Sequence, residues 1–466
     1  MNELAAYAPA RALWLRPSSL RRVRARSAQL SLPLLTALLF WPLLTLIARQ
    51  TVYFSGPARS SYAILYGSAR GSRVFLYLNF AILAAFVAVG WPGIWIRLKQ
   101  NLLLSATLAL ALTSVLWTSS LKITVQMFVQ ISLCALFACY LSIRVSTRQL
   151  MQILMFMGVA ASLLSIFFAI ALPSYGIFAG YGTSAWQGIC NHKNTLGVSS
   201  AYLLLPAFFA THYSRAVRCA YGGLITLLIF LSQSRGAWFY TLGVVAFVAW
   251  LHFYRRLRRS ESLLLVLITG AVCTALIILV TVYFSDLATL VGKDPTMSGR
   301  FKIYKEVWLA ILKRPVLGYG LGGFWFPGSL ESQRLGLSIG WANIGYSENG
   351  ILELALQIGF LGVALVLGMI ATAVARAVKL LRSPFYTPRV GWFLTIIVLA
   401  MFTNIDAGWF LTSDTLDWVL IVIACIGLNE EWARVRTFLP PSRRDGMLRL
   451  RWKAPRPLVY AGDPHA

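Results

Sequence analysis

The sequence predicts an all-α, polytopic integral membrane protein with about twelve transmembrane helices and one long outer loop. Three observations carry this. Hydrophobic residues make up 58% of the 466 positions while charged residues fall to 12%, about half the 25% usual for a soluble domain. Mean hydropathy is +0.70. Apolar runs long enough to cross a hydrocarbon core of about 30 Å recur along the chain.

Those runs lie near 30–48, 74–92, 102–118, 123–142, 150–172, 194–212, 217–232, 237–254, 263–284, 349–375, 391–403 and 415–428, the last two being short. Pro33, Pro42 and Pro206 fall inside them, which packed membrane helices tolerate. The organisation expected is a basic segment 1–29, helices one to nine over 30–284, an outer loop 285–348, helices ten to twelve over 349–428, and a basic tail 429–466. The loop contains the stretch Phe301 to Leu312, where Tyr304, Val307, Trp308 and Ile311 recur at helical spacing, with Ser298 as its N-cap.

The charge has a location. Of 42 Lys and Arg, 28 lie in the head, the tail and alternate loops, against 14 on the opposite side, seven of them in the long loop. With the acids included, one side carries +22 and the other +5 of the total +27. The positive-inside rule then puts both termini in the cytoplasm and makes the helix number even. The excess is orientation and contact with anionic lipid, not nucleic-acid binding. The first apolar run follows an Arg-rich head and lacks a small-x-small cleavage site, so it reads as a signal anchor. The six cysteines are scattered without CxxC spacing and read as small buried hydrophobes. No metal or cofactor motif stands out; Cys190 and His192 alone do not make a zinc site.

Polar groups at membrane depth are costly and usually functional, and here they gather on the outer side. One cluster is Asn191-His192-Lys193-Asn194, entering the sixth helix; another is Ser232-Gln233-Ser234-Arg235-Gly236, between the seventh and eighth. The long loop is the third, and Ser347-Glu348-Asn349-Gly350, where it re-enters the membrane, is the fourth. Arg235 is either a snorkelling terminal arginine or, with Gln233 and Ser234 beside it, a bidentate phosphate clamp. Arg300 opens a helix whose dipole opposes it, so an anion site competes with a solvated charge. Glu348 is either an acid favoured at a helix start or a base near the membrane surface. Gly318-Tyr-Gly320-Leu-Gly322-Gly323 reads as a glycine turn, since no strand precedes it as a dinucleotide site requires. Trp308, Trp325 and Trp341 either stack on sugars or anchor the loop at the interface. Asp406, Asp414 and Asp417 lie at the last outer turn, where one of them could pair with an arginine.

Together, His192-Lys-Asn-Thr-Leu-Gly197, Leu231-Ser-Gln-Ser-Arg-Gly-Ala237, Ser298-Gly-Arg300 with Trp308, Pro315-Val-Leu-Gly-Tyr-Gly-Leu-Gly-Gly-Phe324 and Glu348-Asn-Gly-Ile-Leu-Glu353 with Gly359 and Gly362 form an ordered set. It resembles the bacterial O-antigen ligase and Wzy-type polysaccharide polymerase superfamily over about 185–365. The resemblance implies a GT-C-like, metal-independent glycosyltransferase without cofactor at the periplasmic face of the inner membrane. Such an enzyme moves a glycan from undecaprenyl diphosphate to a sugar hydroxyl of an acceptor glycan, among membrane lipids and other polysaccharide export proteins. Arg235 and Arg300 would hold the diphosphate and Glu348 would be the base. His192, Lys193, Asn194, Gln233, Ser234 and Asn349 would contact substrate. Family ligases usually carry a His-Asn pair where this chain has Glu348-Asn349, which favours a polymerase over a ligase joining glycan to lipid A core. A lipid-linked glycan flippase would need charged residues lining a path across the membrane, and the first nine helices nearly lack mid-helix charges.

Overall fold

The computed structural model describes residues 32–48, 70–180, 183–282, 300–326, 328–340, 344–405, 410–411 and 415–438. The Arg-rich head, the basic tail beyond 438, Ser298, Trp341, Asp406 and Asp414 lie outside them.

Each of the twelve apolar runs falls on a helix. In chain order these are α1 (Leu32–Ala48), α2 (Arg70–Gln100), α3 (Leu102–Thr113), α4 (Leu121–Arg144), α5 (Thr147–Ala171), α6 (Lys193–Phe209), α7 (Arg215–Leu231), α8 (Arg235–Arg256) and α9 (Arg259–Val282). Within the long loop lie α10 (Arg300–Lys313) and α11 (Leu330–Ile339), and α12 (Gly350–Leu381), α13 (Pro388–Thr403) and α14 (Leu416–Phe438) follow. Among the described residues five helices are long and apolar enough to cross a membrane: Tyr77–Gln100 of α2, then α4, α5, α8 and α12. Val89, Ile170 and Leu242 stay 69–70% exposed on helices, a surface that suits lipid and not water. The protein is an α-helical, multi-pass membrane protein.

The helix starts are legible in local chemistry. Ser146 and Gln149 form a reciprocal capping box before α5. Ser214, Ser234 and Ser329 cap α7, α8 and α11 through their hydroxyls. One element was not expected: an antiparallel hairpin of β1 (Ile177–Gly180) and β2 (Thr183–Trp186) precedes α6. Strand-forming Ile177, Phe178, Thr183 and Trp186 flank a Gly-Tyr-Gly sequence there.

α14 is the hub. It packs on α4, α12 and α13, and Trp418 through Leu428 are buried along its whole circumference, as a helix apolar all round must be. It also extends ten residues past the apolar run that ended at 428. The reason is pairing: Glu430 meets Arg97, while Glu431 meets Arg389 and Arg434. Arg97 is thereby corrected from a loop charge to a buried one, because α2 runs to Gln100 and only Asn101 separates it from α3.

α12 carries the other departure. Its 32 residues are interrupted at Ile358 and Gly359, where Gly359 takes φ +69°. The segment Pro315–Gly320 fills the break: Tyr319 and Gly320 donate to the carbonyls of Leu356 and Gln357, while Phe360 donates to the Pro315 carbonyl. Free backbone groups at membrane depth are thus paired. Gly318, Gly320 and Gly322 have φ of +64° to +85°, as the glycine-turn reading requires. Around this seam α10, α11 and the first half of α12 bury a separate cluster including Ile303, Val307, Phe324, Leu335 and Leu356.

Candidate active site

The expected site residues fall into two groups. The first is built by α6, α8 and the hairpin. Gly197 allows α6 to approach the turn before α8: a Cβ there would lie 2.6 Å from Ala237 Cβ and 2.9 Å from Ser234 Cβ. The His192 and Arg235 motifs therefore pack directly on each other. Ser234 is buried and accepts from the Ala237 N–H, while exposed Gln233, at φ +48°, donates to the Ser184 carbonyl of β2. His192 caps α6, its Nδ1 accepting from the Asn194 N–H at 3.1 Å, and its ring lies edge-on to Phe178. Lys193 Nζ sits 5.7 Å from the centre of that ring. Burial, and after it the Arg235 guanidinium, lower the Lys193 ammonium below the usual lysine range. Arg235 itself is exposed at the first position of α8 and has no ion-pair partner among the described residues. Two adjacent cations at helix starts, with hydroxyl and amide groups beside them, form a concentrated positive field.

The second group is built by α10 and the start of α12. Arg300 Nη2 and Glu348 Oε2 form an ion pair at 2.9 Å, with side chains 25% and 21% exposed. Glu348 holds the left-handed φ of +57°, which a non-glycine residue adopts only when its surroundings hold it there. Those surroundings are explicit. Tyr304 Oη donates to the Glu348 carbonyl at 3.1 Å, and burial first, then Glu348, raise the Tyr304 hydroxyl above the usual range while Arg300 opposes them. On the other side Asn349 caps α12, its Oδ1 accepting from Ile351 and Leu352 while its amide donates to the Ile405 carbonyl.

Behind Glu348 stands a buried carboxylate. Glu353 is 3% exposed and accepts from Trp325 Nε1 at 3.0 and 3.1 Å, Gln357 Nε2 at 2.6 Å and the Ser347 N–H at 2.8 Å. Such a charge is tolerable only with donors of this kind. It fixes Ser347 and hence the backbone that presents Glu348. This corrects the sugar-stacking alternative for Trp325, whose indole is 2% exposed and spoken for. Trp308 is also corrected as a face residue: α10 buries Ile303, Val307 and Ile311 and leaves Trp308 45% exposed, edge-on to Phe360.

α13 joins the groups. Buried Asn404, just past its end, accepts the Gly350 N–H on its carbonyl and the Phe410 N–H on Oδ1. A Cβ at Gly350 would lie 1.9 Å from Asn404 Oδ1, so this contact needs glycine. Just before Asn404, Phe402 meets Phe239 of α8, and Thr403 meets the Tyr202 hydroxyl of α6. Asp417, the one outer aspartate among the described residues, is buried close enough to Tyr202 to act on it electrostatically. Asn404 and Gln357 escaped the sequence reading; each is a polar residue inside or ending an apolar run, the feature that usually marks function.

Residues 220–367 match the family model described as O-antigen ligase, Wzy_C. Over 331 residues the chain is 23% identical to exopolysaccharide production protein ExoQ of Rhizobium meliloti (strain 1021), covering 68% of this chain and 74% of that protein. The matched stretch holds Arg235, Arg300, Glu348 and the Glu353 cage. The chain is thus similar to O-antigen ligases and to an exopolysaccharide production protein, the resemblance its motifs suggest.

Proposed function

We propose that the protein polymerises lipid-linked polysaccharide repeat units at the periplasmic face of the inner membrane. The donor is a glycan on undecaprenyl diphosphate and the acceptor a sugar hydroxyl of another glycan. The observation that carries this reading is the Arg300–Glu348 ion pair at the mouth of α12. It puts an anion-binding group and a carboxylate base in contact, in a chain similar to O-antigen ligases.

The acceptor oxygen attacks the anomeric carbon, the bond from that carbon to the diphosphate oxygen breaks, and the hydroxyl proton passes to the Glu348 carboxylate. The diphosphate departs with the bonding electrons. Arg235 and Arg300 stabilise that growing charge most in the transition state, so the residues supply the positive charge without a metal. Arriving diphosphate takes Arg300 from Glu348 and leaves the carboxylate free to accept a proton. His192, Lys193, Asn194, Gln233, Ser234 and Asn349 line the substrate path, with Lys193 adding a third positive charge. Both termini lie in the cytoplasm and twelve helices cross in a GT-C-like arrangement, with 285–348 as the periplasmic loop between helices nine and ten.

Deleting the gene tests the reading. Loss of polymer with accumulation of single repeat units on undecaprenyl diphosphate is expected. Polymer of normal length that fails to reach lipid A core would make the protein a ligase instead. Unchanged polymer and unchanged lipid-linked units would overturn both.

A further inference from the structure

Where α4 and α14 end and α5 and α13 begin, these four helices with Leu35 of α1 and Val89 of α2 line a cavity of about 720 Å³, with its arginines near the helix ends and apolar side chains farther along the helices. We propose that it is a binding site for an anionic phospholipid, taken up with its phosphate among arginines and its chain against the helices.

The polar end is lined by Arg144, Arg389 and Arg434. The carboxylates there are Glu430 and Glu431; Glu430 is paired with the buried Arg97 behind the wall, and Glu431 with Arg389 and Arg434. Among the described residues four guanidiniums therefore meet two carboxylates, a positive excess. Arg144 is half-buried at the end of α4 and has no ion-pair partner among the described residues, so its charge is directed to whatever enters. Ser142 and Thr147 add hydroxyls on the same lining. The apolar end is lined by Leu35, Val89, Phe393 and Ile423 from four different helices. Along α14 the lining runs from Arg434 to Ile423, about 16 Å at 1.5 Å per residue. A small inorganic anion would use only the first part of that length. An amphiphile with one negative phosphate uses all of it, and the excess of Lys and Arg puts this end on the leaflet where anionic lipid concentrates.

The test uses the full chain in detergent, equilibrated with equal amounts of phosphatidylglycerol and phosphatidylcholine, with bound lipid counted by native mass spectrometry. Phosphatidylglycerol is expected to be retained over phosphatidylcholine, and Arg144→Gln to lower its retention about fivefold, the effect of one arginine at an anionic headgroup. Arg434→Gln, at a rim position 43% exposed where Arg389 still pairs Glu431, gives a second reading, with its unfolding temperature measured alongside. Equal retention of the two lipids, or unchanged retention in Arg434→Gln, would overturn the proposal. So would displacement of the lipid by inorganic phosphate at equal concentration, which would leave a site for small anions only.

Discussion

The two arginines assigned to the diphosphate sit in contrasting settings. Arg235 stands exposed at the head of α8, beside another cation, Lys193, on a scaffold of close helix packing at Gly197. Arg300 comes from the loop, is three-quarters buried, and already holds a carboxylate. In the proposed function, Arg235 offers a field to attract a diphosphate, while Arg300 would exchange one anion for another and so release Glu348. The proposal thus gives the same residue type attraction in one place and gating in the other.

The largest expected effect falls on Glu348. Glu348→Gln keeps the shape and removes proton acceptance, so turnover on a lipid-diphosphate glycan should fall about 10²–10⁴-fold, the usual worth of a general base. Binding of a prenyl diphosphate should move the other way and tighten up to about fivefold, because a partly exposed ion pair of up to about 1 kcal/mol no longer competes. Full turnover in this variant removes Glu348 as base; weaker prenyl diphosphate binding removes the exchange. Arg235→Ala and Arg300→Ala should each cost about 10²–10³-fold in kcat/KM. The contrast between them appears on combination with Glu348→Gln. Losses should multiply for Arg235, which does not touch Glu348, and fall short of multiplying for Arg300, which does. Identical behaviour of the two pairs in that cycle would erase the distinction.

A smaller effect separates scaffold from sugar contact. Trp325→Phe removes the indole donor from Glu353 while keeping an aromatic ring. We expect a loss of about 1.5–3 kcal/mol in stability, as for a hydrogen bond to a buried charge, read as a lowered unfolding temperature with little change in acceptor KM. A raised acceptor KM at unchanged stability would restore the stacking role.

How much of this was legible in the sequence differs between the groups for a physical reason. Each half of the first group is local, although their contact is not: a short turn between two apolar runs brings Ser234 to the head of α8 as its cap, and a glycine in His192-Lys-Asn-Thr-Leu-Gly197 is the sign of close approach. Motif and spacing sufficed to place these residues at helix ends. The second group is tertiary. Arg300 and Glu348 are 48 positions apart, and no periodicity relates them; nor does any pattern show that Trp325 turns inward to Glu353 while Trp308 stays at the surface. Helix existence was visible in every apolar run, because burial in lipid demands it. Helix length was not: α14 outruns its apolar stretch by pairing Glu430 and Glu431 with arginines from α2 and α13, and α12 breaks at Gly359 because another segment repairs the break.

The smallest expected effect probes the exposed group by pH. Lys193 loses its proton at lower pH than an ordinary lysine, because burial and then Arg235 disfavour the charged form. Its positive charge is therefore present below that lowered value and lost as pH rises through it. If Lys193 helps Arg235 attract the diphosphate, prenyl diphosphate binding should weaken along an alkaline limb that begins below the ordinary lysine range. A bound diphosphate favours the ammonium and moves the limb back upward, so saturating donor should shift it to higher pH. Lys193→Arg keeps the charge throughout, since a guanidinium stays protonated, and should flatten the limb while leaving binding at neutral pH nearly unchanged. A limb that persists in Lys193→Arg would assign the titration elsewhere and reduce the first group to Arg235 alone.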